Sequence, residues 1–209
     1  MRRMACSRPI FCSLAASRAG GLRRGIRKIA RTFAPAWAAA ALWMTLASCT
    51  PTLNWRELPL PPTGAHALLP CKPDRAERSV PLGGVPTDLV VIGCDAGGAT
   101  FAVMAAVVPP GRAPDALLEG WQQATLSNMK AHGEVQRQPF HPAAGLPLPH
   151  AQRVVAQGDA PSGRPAYAQA AWSARSAEGG ATELVHAVMY SEKPQPDVAD
   201  AFFAGLKWR

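Results

Sequence analysis

The apolar positions of this chain fall into one long uninterrupted run and a series of shorter runs with strand or helix spacing. The long run is Phe33 to Leu46, FAPAWAAAALWMTL, which carries no charge. Beyond it, Ala65 to Pro70 is apolar over strand length, and Arg75 to Val80 alternates weakly. Pro81-Leu82-Gly83-Gly84 then reads as a turn. Thr87 to Cys94 (TDLVVIGC) reads as a buried strand, because its apolar residues run together instead of alternating. Asp95-Ala96-Gly97-Gly98 is the next turn signal, and Thr100 to Val108 (TFAVMAAVV) the next strand. Pro109-Pro110-Gly111 ends it, since proline cannot donate to a ladder.

From Ala113 to His132 the period becomes helical. The expected stripe is Leu117, Leu118, Trp121, Ala124 and Thr125, flanked by Leu126 and Met129, with Gly133 as the residue that ends the helix. Glu134 to Phe140 is a candidate strand, His141 to His150 a proline-rich loop, and Arg153 to Gln157 a short strand. Pro165 to Arg175 and Thr182 to Tyr190 flank Ser176 to Gly180 and read as a hairpin with a long turn. Asp197 is a natural N-cap for a last helix whose face is Val198, Ala201, Phe202 and Gly205. Strands, helix, strands and helix, with hairpins dominating, predict an α+β domain. Its antiparallel β-sheet of hairpins carries two helices, expected on one face.

The long run has a different character. Nine basic residues and no acidic ones precede it, and Leu46-Ala47-Ser48-Cys49 closes it. A charged segment, a short apolar core and a small-residue junction make a secretory signal peptide. Only 17 residues, Pro35 among them, separate Arg31 from Cys49, whereas a membrane span needs ~20 apolar residues. A cleaved signal fits that length better than an uncleaved anchor. Because the apolar run begins unusually late, a mis-assigned start at Met1 or Met4 stays open, and with it the true start codon. Arg23-Arg24-Gly25-Ile26-Arg27-Lys28 keeps part of a twin-arginine export motif but has Leu22 where Ser is usual, so two export routes stay open as well.

The ending Leu46-Ala47-Ser48-Cys49 resembles the lipobox of bacterial lipoproteins at all four positions. The resemblance implies lipidation of Cys49 with fatty acids such as palmitate, and removal of residues 1–48. Thr50, where Asp would signal retention, implies delivery to the outer membrane, on the periplasmic side of the cell envelope. One acyl chain binds a bilayer marginally, at ~0.8 kcal/mol per buried methylene, and two or more make the attachment durable. The implied organisation is a signal peptide over 1–48, a lipidated N-terminus with a proline-rich spacer over 49–64, and one domain over 65–209. Within the spacer, Leu53 to Glu57 is apolar enough to be an edge strand instead, and both readings stay open.

Cleavage changes the charge argument. The full chain carries 22 basic and 14 acidic residues, a net of +8, but nine of the bases and none of the acids lie in the signal. The remainder has 13 against 14, a net of −1. The basic balance belongs to the removed segment, so no basic patch is left to meet phosphates and no nucleic-acid partner is expected. The expected partners are the membrane, through the lipid anchor, and envelope proteins or peptidoglycan. The 161 residues from Cys49 suit one domain.

Cysteine arithmetic is informative. Cys6 and Cys12 leave with the signal and Cys49 is taken by lipid, so Cys71 and Cys94 remain in an oxidising compartment. If Arg75–Val80 pairs with the strand ending at Cys94 about a turn near Leu82-Gly83, opposed residue numbers sum to about 165 or 166, and these two sum to 165. A disulfide is expected on that register, with two buried free thiols as the competing reading. Pro73 threatens the ladder before Cys71 is reached.

Two short motifs carry a looser family resemblance. LLPCKPDR (Leu68 to Arg75) resembles the opening, and FFAGLKW (Phe202 to Trp208) the closing helix, of small bacterial periplasmic lipoprotein domains similar to the PsbP-like α+β fold. Gly205 stands where Ser is commoner there, and Cys71 where Gly is commoner. The resemblance implies protein-binding or assembly roles in several members, catalysis in few, and no catalytic residue here.

The chain holds no G-x-S-x-G, H-E-x-x-H, glycine-rich phosphate loop or C-x-x-C. His186 reads as a satisfied core histidine. His141 and His150 bracket a loop and could approach each other, but no third zinc ligand is placed near them. Asp95 reads as a turn residue, and Trp55, Trp121, Trp172 and Trp208 as core aromatics. No catalytic residue, cofactor or metal is assigned. Three functional classes remain: a non-enzymatic binding or assembly lipoprotein, an envelope enzyme with a non-local active site, and a thiol-redox protein using Cys71 and Cys94.

Overall fold

The computed structural model describes residues 52–209. The signal segment and Cys49 therefore lie outside the described residues. The chain runs β1 (Arg56–Pro59), β2 (Ala65–Leu69), β3 (Asp74–Leu82), β4 (Val85–Ala96), β5 (Ala99–Val108) and α1 (Pro114–Asn128). It continues with β6 (His132–Pro139), β7 (Gln152–Asp159), β8 (Pro165–Ser176), β9 (Thr182–Ser191), α2 (Pro196–Ala204) and β10 (Lys207–Trp208). The class is α+β. A seven-stranded antiparallel sheet has the order β3-β4-β5-β9-β8-β7-β6, and a three-stranded one the order β1-β2-β10. The large sheet is two meanders, β3 to β5 and β6 to β9. Helix α1 carries the chain from one to the other, and β5 pairs with β9 to join them.

Strand parity shows how the sheet is covered. Phe101, Val103, Ala105, Val185, Ala187 and Met189 point to one face, where they pack with Phe202 and Phe203 of α2 and with β2. Ala106, Val108, Leu184, Val188 and Trp172 point to the other, against Leu117, Leu118 and Trp121 of α1. The two helices thus lie on opposite faces, not on one. This explains the dense apolar runs: strands β5 and β9 are covered on both sides, so neither can alternate with polar residues. The sheet edges β3 and β6 are mostly exposed, polar, and carry Pro81 and Pro139, which discourages further strand addition.

Several local expectations shift. The proline-rich stretch does contribute a strand, but at Arg56–Pro59, slightly later than its apolar residues suggest, and it pairs with β2. Helix α1 stops at Asn128, so Gly133 falls in β6 and does not terminate it. On α1 the buried set is Leu117, Leu118, Trp121 and Gln122, while Ala124 is exposed. Gln122 is tolerated inside because its amide donates to the His150 carbonyl at 2.6 Å. Helix α2 is capped by Gln195 with Asp197 inside its first turn, and it buries Ala199, Phe202 and Phe203 while Ala201 faces solvent. After it, Gly205 permits a close approach: a Cβ there would sit 2.2 Å from Leu68 Cβ on β2. That contact accounts for glycine at this position.

Candidate functional site

Cys71 and Cys94 are joined by a disulfide, with Cα atoms 6.0 Å apart. The pairing is the expected one, but the register behind it is not. In the β3–β4 ladder Asp74 faces Gly93 and Leu82 faces Val85, so opposed numbers sum to 167 about a Gly83-Gly84 turn. The ladder starts at Asp74, so Cys71 lies outside it, beyond Pro73. Leaving the ladder lets Cys71 reach Cys94 instead of a ladder partner. The bridge ties the chain just after β2, in the small sheet, to β4 in the large one.

His186 sits on β9 opposite Trp172 of β8 and Met104 of β5. Its ring stacks on Trp172 at 4.5 Å and meets the edge of Trp121 at 5.4 Å. Only 1 % of it is exposed. Burial pushes its pKa down to about 3, against the opposing effect of a hydrogen bond between Nδ1 and the Ala171 carbonyl, so the ring is neutral at pH 7. A neutral aromatic clamped between two indoles is a core element, closed to any substrate. Trp121, Trp172 and Trp208 are buried in the core, and Trp55 packs edge-on against Phe101.

The proline-rich loop is fixed by another histidine. Asp115 of α1 accepts the His150 backbone N–H at 2.8 Å and pairs with His150 Nδ1 at 2.8 Å. Both carboxylate oxygens are thus spent holding the loop on the helix, a tether that the sequence did not reveal. His141, by contrast, is exposed. Among the described residues no group of three or more His, Cys, Asp or Glu side chains is close enough to hold a metal ion.

Two further polar clusters bind the layers together. Arg153 of β7 ion-pairs with Asp200 of α2 at 2.6 Å and lies over the Phe203 ring. Arg175 of β8 pairs with Glu183 of β9 at 2.7 Å and lies over Trp208 of β10, whose indole N–H donates to Ser173. On the small sheet, a hydrogen bond from Lys207 lowers the pKa of Glu57 most; desolvation opposes it, and the charges of Arg209, Lys207 and His66 lower it further.

An open cleft of about 650 Å³ lies at one end of the large sheet. The β4–β5 turn, the β7–β8 turn and the end of β9 build it from residues distant in sequence, including Asp95, Thr100, Pro161, Arg164, Tyr190 and Glu192. Thr100 donates its hydroxyl to Asp95 across the hairpin, consistent with a turn-stabilising role for that carboxylate. Arg164 and Glu192 form an exposed pair at 3.4 Å on the rim. Burial raises the pKa of Tyr190 above its ordinary value. The cleft therefore offers an apolar floor of alanines, prolines and a tyrosine ring, with both signs of charge at its rim. No protein-family model matches this chain, and no curated protein matches it.

Proposed function

We propose that the protein is a bacterial envelope lipoprotein, anchored through acylated Cys49 to the periplasmic face of the outer membrane, whose domain binds or assembles with envelope components. The observation that carries this reading is Leu46-Ala47-Ser48-Cys49 at the end of an apolar run preceded only by basic residues. The Cys71–Cys94 bridge supports it, since such bridges persist in oxidising compartments. Its position as a tie between two sheets favours a structural bridge over a cycling redox pair. A binding role draws support from the open cleft, while the strongly shifted histidine is sealed in the core. The finer fold assignment is a PsbP-like domain, on the strength of the Leu68–Arg75 and Phe202–Trp208 motifs.

The test is replacement of Cys49 by Ala. The variant moves from the membrane to the soluble fraction and stops incorporating labelled palmitate, while native-envelope cross-linking of the parent protein captures a defined envelope partner. A Cys49→Ala variant that stayed acylated and membrane-bound would refute the anchoring.

A further inference from the structure

We infer that the cleft end of the domain docks on the phospholipid headgroup layer of the bilayer that holds Cys49, so that the cleft opens onto lipid. This rests on the reading of Cys49 as a lipidated residue. The starting point is where the chain enters the fold. Leu53 lies against the β4–β5 turn: a Cβ built on Gly97 would come within 3.0 Å of Leu53 Cδ2, and Gly97 itself takes a positive φ of 58°. Asn54 donates its backbone N–H to the Pro70 carbonyl, and Trp55 packs on Phe101. The entry point is therefore fastened at the Gly97-Gly98 turn, beside cleft residues Asp95 and Thr100.

Three residues lie between Cys49 and Leu53, so four Cα–Cα steps join them. A fully extended chain of that length spans roughly 14 Å, whatever path it takes. With the acyl chains of Cys49 in the leaflet, Gly97 and the cleft rim cannot stand farther from the headgroups than about that distance. The other end of the molecule is not so constrained. Strands β8 and β9 stay paired from Tyr167–Ser191, at the cleft, to Ser176–Thr182. That ladder is roughly 30 Å long at ~3.3 Å per residue. The turn at Glu178–Gly180, the Gly83-Gly84 turn and the carboxyl-terminal Arg209 belong to the far end.

The chemistry of the rim fits a zwitterionic surface. Arg164 can meet phosphate, and its pair partner Glu192, together with Asp95, can meet ammonium. A polybasic patch would bind anionic lipid at about 1 kcal/mol per Lys or Arg near the surface, and this rim has no such patch. The short tether, not bulk electrostatics, brings the surfaces together.

The native chain suits a labelling test. With Cys71 and Cys94 bridged and Cys49 acylated, an added cysteine is the sole free thiol of the processed protein. Ser162→Cys places a fluorophore at the cleft, and Glu178→Cys places it at the far end. Each acylated protein is reconstituted into phosphatidylethanolamine–phosphatidylglycerol vesicles carrying a headgroup quencher. The expected result is quenching at position 162 at least threefold stronger than at 178, and little changed by raised salt. Equal or reversed quenching in protein whose Cys49 carries acyl mass overturns the docking while leaving the anchor intact. A Cys49 without acyl mass overturns the anchor reading and the docking that rests on it.

Discussion

Reducing the Cys71–Cys94 bridge isolates one covalent constraint without changing an atom elsewhere. The two residues are 23 positions apart, and the loop between them contains β3 and most of β4. In the chain-entropy model a loop of that size removes about 3 kcal/mol of unfolded-state freedom at 25 °C. For a domain of this length each kcal/mol shifts Tm by about 2–4 °C, so the reduced protein should melt about 6–12 °C lower. Both cysteines are only half-buried, so a Cys71→Ala/Cys94→Ala double variant should lose a similar amount with little cavity cost. Urea unfolding of the oxidised, reduced and double-alanine forms, each fitted for midpoint and slope, measures it. A loss under about 1 kcal/mol in both reduced and double-alanine forms would show that the β3–β4 ladder already imposes the constraint in the unfolded ensemble, and the reasoning fails.

His186 is held neutral by burial, with a folded pKa of about 3 against 6.5 in the unfolded chain, so between these values the unfolded state binds more protons. Its contribution to stability is complete above pH 6.5 and falls with acidification at up to ~1.4 kcal/mol per pH unit. His186→Phe, which keeps the aromatic stack, should flatten the measured stability–pH slope between pH 6 and 4, and an unchanged slope would rule out this histidine as its source. Gly205→Ser should cost about 1–3 kcal/mol in denaturant unfolding, because the new Cβ must push α2 away from Leu68; no change would mean that the contact relaxes freely. The processed protein should show no sub-micromolar binding to duplex DNA or RNA by filter assay at low salt, the condition most favourable to electrostatic association.

Much of this protein follows from local sequence alone. The expectation of a secretory signal ending at Cys49 rests on composition and order within a few tens of residues alone. The strands at 65–69, 85–96, 99–108, 165–176 and 182–191 are legible because buried strands concentrate apolar residues between Gly and Pro punctuation. The Cys71–Cys94 pairing was expected from the sequence, and the fold contains it. The register behind it did not follow from the sequence: it depends on where the hairpin turn falls, and a turn one residue later moves the sum of opposed positions by two, so Cys71 no longer falls opposite Cys94.

Other features arise only when distant segments meet. A dense apolar run reports that a strand is covered on both faces but not by what, so placing α1 and α2 on opposite faces required the folded chain. The small sheet unites Glu57 and Lys207, and the cleft unites turns near residues 97, 162 and 192, across separations that carry no local signal. The helix stripes hold at Leu117, Leu118, Trp121 and Phe202 but miss at Ala124, Gln122 and Ala201 for the same reason. Periodicity ranks Ala124 above Gln122 as a core residue, yet a single carbonyl supplied by the loop at His150 makes burial of the amide favourable and leaves the alanine in water.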